Sequence, residues 1–244
     1  MNDPVEPKEF LLGARENHRE AFVYKLADVV SVPTYKTRYV EVTYFDTKNP
    51  ESVFHAITYK AFFAEDMDAF RKRNKALEVK AIDDPFRMPN DPNKDGDLYE
   101  FEHVSSSKIS DQKEIAKMIF FQMYIGNMDW FLKMNQDHFR DGPESRERLW
   151  NIKLYQDVNL EWHVLPHDFN FSALGLGRVG YPMQPKELSY IDGSVIKAAA
   201  QEFRQQESAF AALIEKAPDV KDFKEVLKYN HKSFFENLKK YEQP

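Results

Sequence analysis

Cysteine is absent from all 244 residues. That excludes disulfides, thiolate metal sites and a cysteine nucleophile, and it leaves the redox compartment open. No apolar stretch approaches the roughly 20 residues that a membrane-spanning helix needs. Residues 1–13 lack the basic region and following apolar run of a signal peptide. Excess positive charge is also missing. The 34 Lys and Arg residues against 40 Asp and Glu give a net charge of −6, which argues against nucleic acid as the main partner. Arg71-Lys72-Arg73 is the one compact basic patch, and it reads as a solvated helix face. What the chain does have is apolar material. Hydrophobic residues make up 42% and aromatics 14%, including 20 Phe and 12 Tyr. That is enough for one large domain, or for two small lobes sharing a cleft.

Hydropathy patterning then divides the chain. Residues 1–13 read as a Pro-rich irregular lead-in. Phe22, Leu26 and Val29 fall at helical spacing, which predicts a helix over 15–30, capped near Asn17 and ended by Pro33. Residues 38–45 alternate with period two and predict a strand. Residues 55–64 predict its antiparallel partner, and 67–74 a short helix. Residues 80–109 are dense in turn signals and mark a loop or insert at the boundary between two lobes, 1–79 and 80–244. Asp111 and Glu114 have the spacing of a capping box ahead of a buried helix that stops at Gly126. Residues 151–155 and 160–169 predict a hairpin, and helices fill the remainder from about 191. The predicted class is α+β, with a small mixed lobe and a mostly helical one.

Three oxygen-bearing side chains stand where these elements end. Asp129 follows the buried helix, Asn151 opens the hairpin, and Asp168 closes it. With the turn centred near Val158, residues whose numbers sum to about 316 face each other. Asn151 is then opposite Leu165, three residues from Asp168 and at most roughly 10 Å from it along the strands. A carboxylate and an amide oxygen that hold Mg²⁺, with a second carboxylate to orient an acceptor hydroxyl, are the equipment of phosphoryl transfer. The plainer reading is that these residues only terminate secondary structure, as Asp and Asn often do.

The residues themselves carry a resemblance. IGNMDW (125–130), NIKL (151–154) and DFNFS (168–172) resemble, in the same order, motifs of a bacterial family with a kinase-like fold, similar to the spore-coat CotH kinases and more distantly to HipA-type kinases. Arg19 to Phe22 resembles the helix whose glutamate orients the ATP-binding lysine. Residues 38–46 and 62–66 resemble strands leading to the hinge. The resemblance covers about residues 15–172. It implies a two-lobed kinase-like fold that binds Mg²⁺ and ATP and phosphorylates a hydroxyl on a protein or small molecule. Asp129 would be the catalytic-loop aspartate, and Asn151 and Asp168 the metal ligands. Glu20 would pair with the lysine, and Glu65 and Asp66 would lie beside the adenine.

Two departures qualify the resemblance. Only about 14 residues precede the Glu20 helix, fewer than a phosphate-covering loop and a lysine-bearing strand require, and Lys8 is the lone lysine among them. Asn170 stands where the family has a second aspartate. The alternative reading is therefore a pseudokinase or interaction module. Two weaker patterns remain. Gly175, Gly177 and Gly180 fit a dinucleotide fingerprint but run into Tyr181-Pro182 instead of a helix, so they read as a loop. His163, His167 and Asp168 suggest a metal hydrolase without a third strong ligand at tight spacing.

Overall fold

The computed structural model describes residues 7–52, 56–81, 111–130, 132, 151–180, 185–218 and 222–243. Among these, six α-helices combine with two small antiparallel sheets in an α+β arrangement. Helix α1 spans Pro7–Val29. It therefore includes much of the stretch expected to be irregular, and Asn17 is an interior residue, not a cap. Proline is tolerated in a first helical turn, where its missing N–H would have had no partner, so its presence did not mark a loop here. Phe22, Val23 and Leu26 on α1 are fully buried. The chain leaves the helix through Ser31 in the left-handed region (φ 56°).

Strands β1 (Thr37–Phe45) and β2 (Ala56–Ala64) form a two-stranded ladder with Thr43 opposite Thr58. One face of the ladder seats α1. The Tyr39 ring lies 4.9 Å from His18 and the Phe62 ring 6.2 Å from Tyr24. Helix α2 covers Met67–Asn74, as its pattern predicts, and Asp66 caps it by accepting the Ala69 N–H at 2.7 Å. Within the basic patch, Arg73 forks onto the Glu65 carboxylate at 2.9 and 2.6 Å.

Strand β3 (Glu78–Ala81) was not expected, since four residues are too few to show a period. It pairs with β4 (Ile152–Gln156), which pairs in turn with β5 (Trp162–Pro166). This strand straddles the expected boundary at residue 80 and ties the first segment to the hairpin. Residues 82–110, nearly all of the expected insert, lie outside the described residues.

Helix α3 (Gln112–Ile125) is buried around almost its whole circumference, as its apolar run requires. Its first turn corrects one expectation. Asp111 caps it by accepting from the Lys113 and Glu114 N–H groups. Glu114 does not reach back to complete the box, because its carboxylate is bonded to His163 Nδ1 at 2.7 Å and the Val164 N–H at 2.9 Å. Helices α4 (Gly193–Gln205), α5 (Glu207–Ile214) and α6 (Phe223–Glu242) surround α3. An aromatic cluster of Tyr124, Phe203, Phe210, Phe234 and Phe235 joins them. Each such fully buried ring contributes roughly 1.5–3 kcal/mol. Phe223, Leu227, Phe234 and Leu238 form the buried face of α6, as predicted. Among the described residues no helix is long and apolar enough to cross a membrane.

Candidate functional site

A helix ends with carbonyl groups that need donors, and the end of α3 obtains them from a distant loop. The Leu174 N–H donates to the Ile125 carbonyl at 3.2 Å, and the Ala173 N–H to the Gly126 carbonyl at 3.1 Å. Gly126 sits in the left-handed region (φ 63°), and a Cβ there would lie 2.8 Å from Ala173 Cβ. Only glycine permits this approach. The loop after Asp168 is thereby laid against the segment that carries Asp129. Buried Asn127 braces that segment. Its Oδ1 accepts the Asp129 N–H at 3.0 Å, its Nδ2 donates to Gln122, and its carbonyl accepts from Trp130 Nε1.

The hairpin supplies the other two residues in a register different from the expected one. Ile152 faces Pro166 and Tyr155 faces His163, and the His167 N–H donates to the Asn151 carbonyl at 3.0 Å. Asn151 is therefore opposite His167, one residue from Asp168, not opposite Leu165. The shift comes from the turn. The Asp157 carboxylate accepts from the Asn159 and Glu161 N–H groups, and Leu160 takes a left-handed conformation (φ 64°). Together they close a longer loop than a turn centred on Val158. Asn151 and Asp168 are themselves left-handed, at φ 60° and 56°. Each costs about 1 kcal/mol or more for a residue with a side chain, and such strain clusters at functional sites.

These segments meet. Asn151 Nδ2 donates to the Asp129 carbonyl at 2.8 Å and to Asp129 Oδ2 at 3.0 Å. The Asp168 N–H donates to the Tyr24 hydroxyl at 3.0 Å. Asp168 holds its proton more tightly than an ordinary carboxyl, first because it is partly buried and second because the Asp129 carboxylate is near. Glu20, one helical turn before Tyr24, is pushed up to about 7 by its own burial and by the Asp168 charge, against a weaker opposing effect of the Phe169 N–H. A paired ammonium would pull Glu20 down, and among the described residues no lysine acts on it. Glu20, Asp129 and Asp168 thus concentrate negative charge in one half-buried place. Their hard oxygens, with Asn151 Oδ1 left over from the amide bond, are of the type that Mg²⁺ takes, although the three carboxylates do not all lie within 4.8 Å of one another.

Other candidates lie elsewhere. Glu65 is held by Arg73 and by the Lys36 N–H at 3.1 Å, and Asp66 caps α2, so neither side chain joins the carboxylates. His163 and His167 flank Leu165 on one face, about 13 Å apart at four strand residues. His163 bonds Glu114 and stacks on Tyr155, whereas His167 faces Tyr35. The proposed His163–His167–Asp168 metal centre therefore does not assemble. His163 instead gathers with Asp157 and Glu161 at the turn. There both Asp157 oxygens already hold turn donors, and the arrangement serves the hairpin. Asn170 is exposed, and Gly180 lies against Gly126 at the end of α3, Gly177 against the Arg19 side chain and Gly175 against the carbonyls of Phe169 and Asn170.

Two contributors had not been singled out from the sequence: Asn127 and Tyr24. Tyr24 had a usable signal, since it stands four residues after Glu20 and so on the same helix face. Neither the known protein families nor the curated proteins give a match to this chain.

Proposed function

We propose that the chain is a two-lobed, kinase-like phosphotransferase that moves a phosphoryl group from Mg-ATP to a hydroxyl of a protein or small molecule, akin to the CotH-like and HipA-like kinases. The observation that carries this reading is the Asn151 side chain. It binds Asp129 through its nitrogen, and its backbone carbonyl accepts the N–H of His167, the residue before Asp168. Asn151 holds Asp129 by Oδ2, leaving Oδ1 to orient the acceptor hydroxyl and take up its proton. Asp168 and Asn151 Oδ1 would hold Mg²⁺, which when bound neutralises charge on the phosphates. The raised proton affinities of Asp168 and Glu20 support the same reading, because uncompensated negative charge favours a bound cation. Glu65 and Asp66 would shape the hinge through Arg73 and the α2 cap.

The test is thermal unfolding of the full chain with Mg-ATP, paired with a phosphate-transfer assay. A ligand at 100 times its Kd stabilises by about 2.7 kcal/mol, and Asp168→Ala should abolish that gain. Saturating Mg-ATP giving neither stabilisation nor transfer would overturn the proposal. The second reading, a pseudokinase or interaction module, is favoured by Glu20, whose high proton affinity is that of a carboxyl without a paired lysine. Nucleotide binding without transfer to any acceptor would select it.

A further inference from the structure

A polyphosphate brings more charge than a carboxylate-bound cation offsets, and phosphotransferase sites meet the excess with a lysine or arginine. Among the described residues Glu20 has no such group acting on it. Two cations of α1 among the described residues make other contacts. Arg19 binds the Leu176 carbonyl and Lys25 sits 3.9 Å above the Tyr39 ring.

Lys153 is placed differently. It lies two residues after Asn151 on β4, about 7 Å away. It faces Leu165 across the ladder, and its side chain and that of His167 both meet the Tyr35 ring. Its Nζ donates to the Tyr35 hydroxyl at 3.3 Å and lies 5.7 Å from the centre of that ring. Among the described residues no carboxylate pairs with it. The phenol is a neutral partner, because burial and the Glu65 charge push Tyr35 up to about 12. A half-buried ammonium on a flexible stem, held by one neutral hydroxyl and carried two residues along the chain from Asn151, is poised to exchange that hydroxyl for an anionic oxygen.

We infer that Lys153 supplies the ammonium that contacts a phosphate of the bound nucleotide, from β4 and not from a strand facing Glu20. The inference rests on the phosphotransferase reading above. It is tested by titrating the full chain with Mg-ATP, Mg-ADP and adenosine, for the wild type, Lys153→Met, Lys153→Arg and Lys25→Met. Losing one charge-assisted contact should weaken Mg-ATP and Mg-ADP about 10- to 100-fold in Lys153→Met, with adenosine changed less than about twofold. Lys153→Arg should recover part of the loss, and Lys25→Met should bind as the wild type does. Methionine keeps the apolar stem against Tyr35, and the ligand-free melting temperature of each variant reports its folding. An unchanged Mg-ATP affinity in Lys153→Met, or an equal loss for adenosine, would overturn the inference while leaving the phosphotransferase reading in place. A wild type that binds adenosine but gains nothing from its phosphates would do the same. A wild type that binds none of the three would remove both.

Discussion

Replacing Glu20 by Gln should stabilise the chain at pH 8 and change it far less at pH 5. Glu20 is a carboxyl moved from its ordinary 4.5 to about 7 by burial and by the Asp168 charge. A group raised in this way binds a proton more tightly when folded than when unfolded. Its penalty is absent below the unfolded value, grows as the pH rises through 4.5 to 7, and is complete above that. At about 1.36 kcal/mol for each tenfold change in proton affinity, the ceiling is about 3 kcal/mol. Residual solvent screening reduces this to about 1.5 kcal/mol. Gln keeps an oxygen for the Phe169 N–H and turns the repelled oxygen into a donor toward Asp168. For a chain of this size, about 2–4 °C per kcal/mol gives a rise of about 3–6 °C in Tm. Thermal melts of both proteins at pH 5 and pH 8, without divalent ions, provide the assay. A lower Tm for Glu20→Gln at pH 8, or an equal change at both pH values, would mean that Glu20 is compensated by a cation and that the charge argument is wrong.

Two further outcomes follow from the same geometry. Gly126→Ala places a methyl group 2.8 Å from Ala173 Cβ in a left-handed conformation, and should cost about 2–4 kcal/mol by denaturant unfolding; a loss below about 1 kcal/mol would show that the loop yields freely. His163 is raised above its ordinary 6.5, chiefly by its bond to Glu114, so the stabilisation is complete below 6.5 and disappears as the pH rises through the folded value. The Tm gap between wild type and Glu114→Gln should therefore narrow from pH 6 to pH 9, and a widening gap would contradict the ion pair.

How much of this was legible depended on whether the signal was local. The bounds of α2 and the end of α3 at Gly126 follow from caps and apolar spacing within a few residues, and the two-stranded ladder from its alternation. The start of α1 was obscured because Pro7 and the polar residues near it look alike in a loop and in a first helical turn. The hairpin was visible, but its register depended on Asp157 bonding two backbone donors across the turn, which composition does not reveal. For the site, the residue types and order of Asp129, Asn151 and Asp168 were readable. Their meeting was not, since it depends on the loop at 173–174 supplying donors to the end of α3. Lys153 carries no local signal, and only the fold brings its ammonium to the Tyr35 hydroxyl.

The central claim is that Asn151 and Asp168 hold one cation beside Asp129. Paramagnetic Mn²⁺, added with ATP as a stand-in for Mg²⁺, tests it through the amide resonances it broadens. The account predicts selective broadening at residues 129, 151 and 168–170, and its loss in Asp168→Ala. Broadening centred instead on 157–163, or spread over the acidic surface without regard to Asp168, would contradict it.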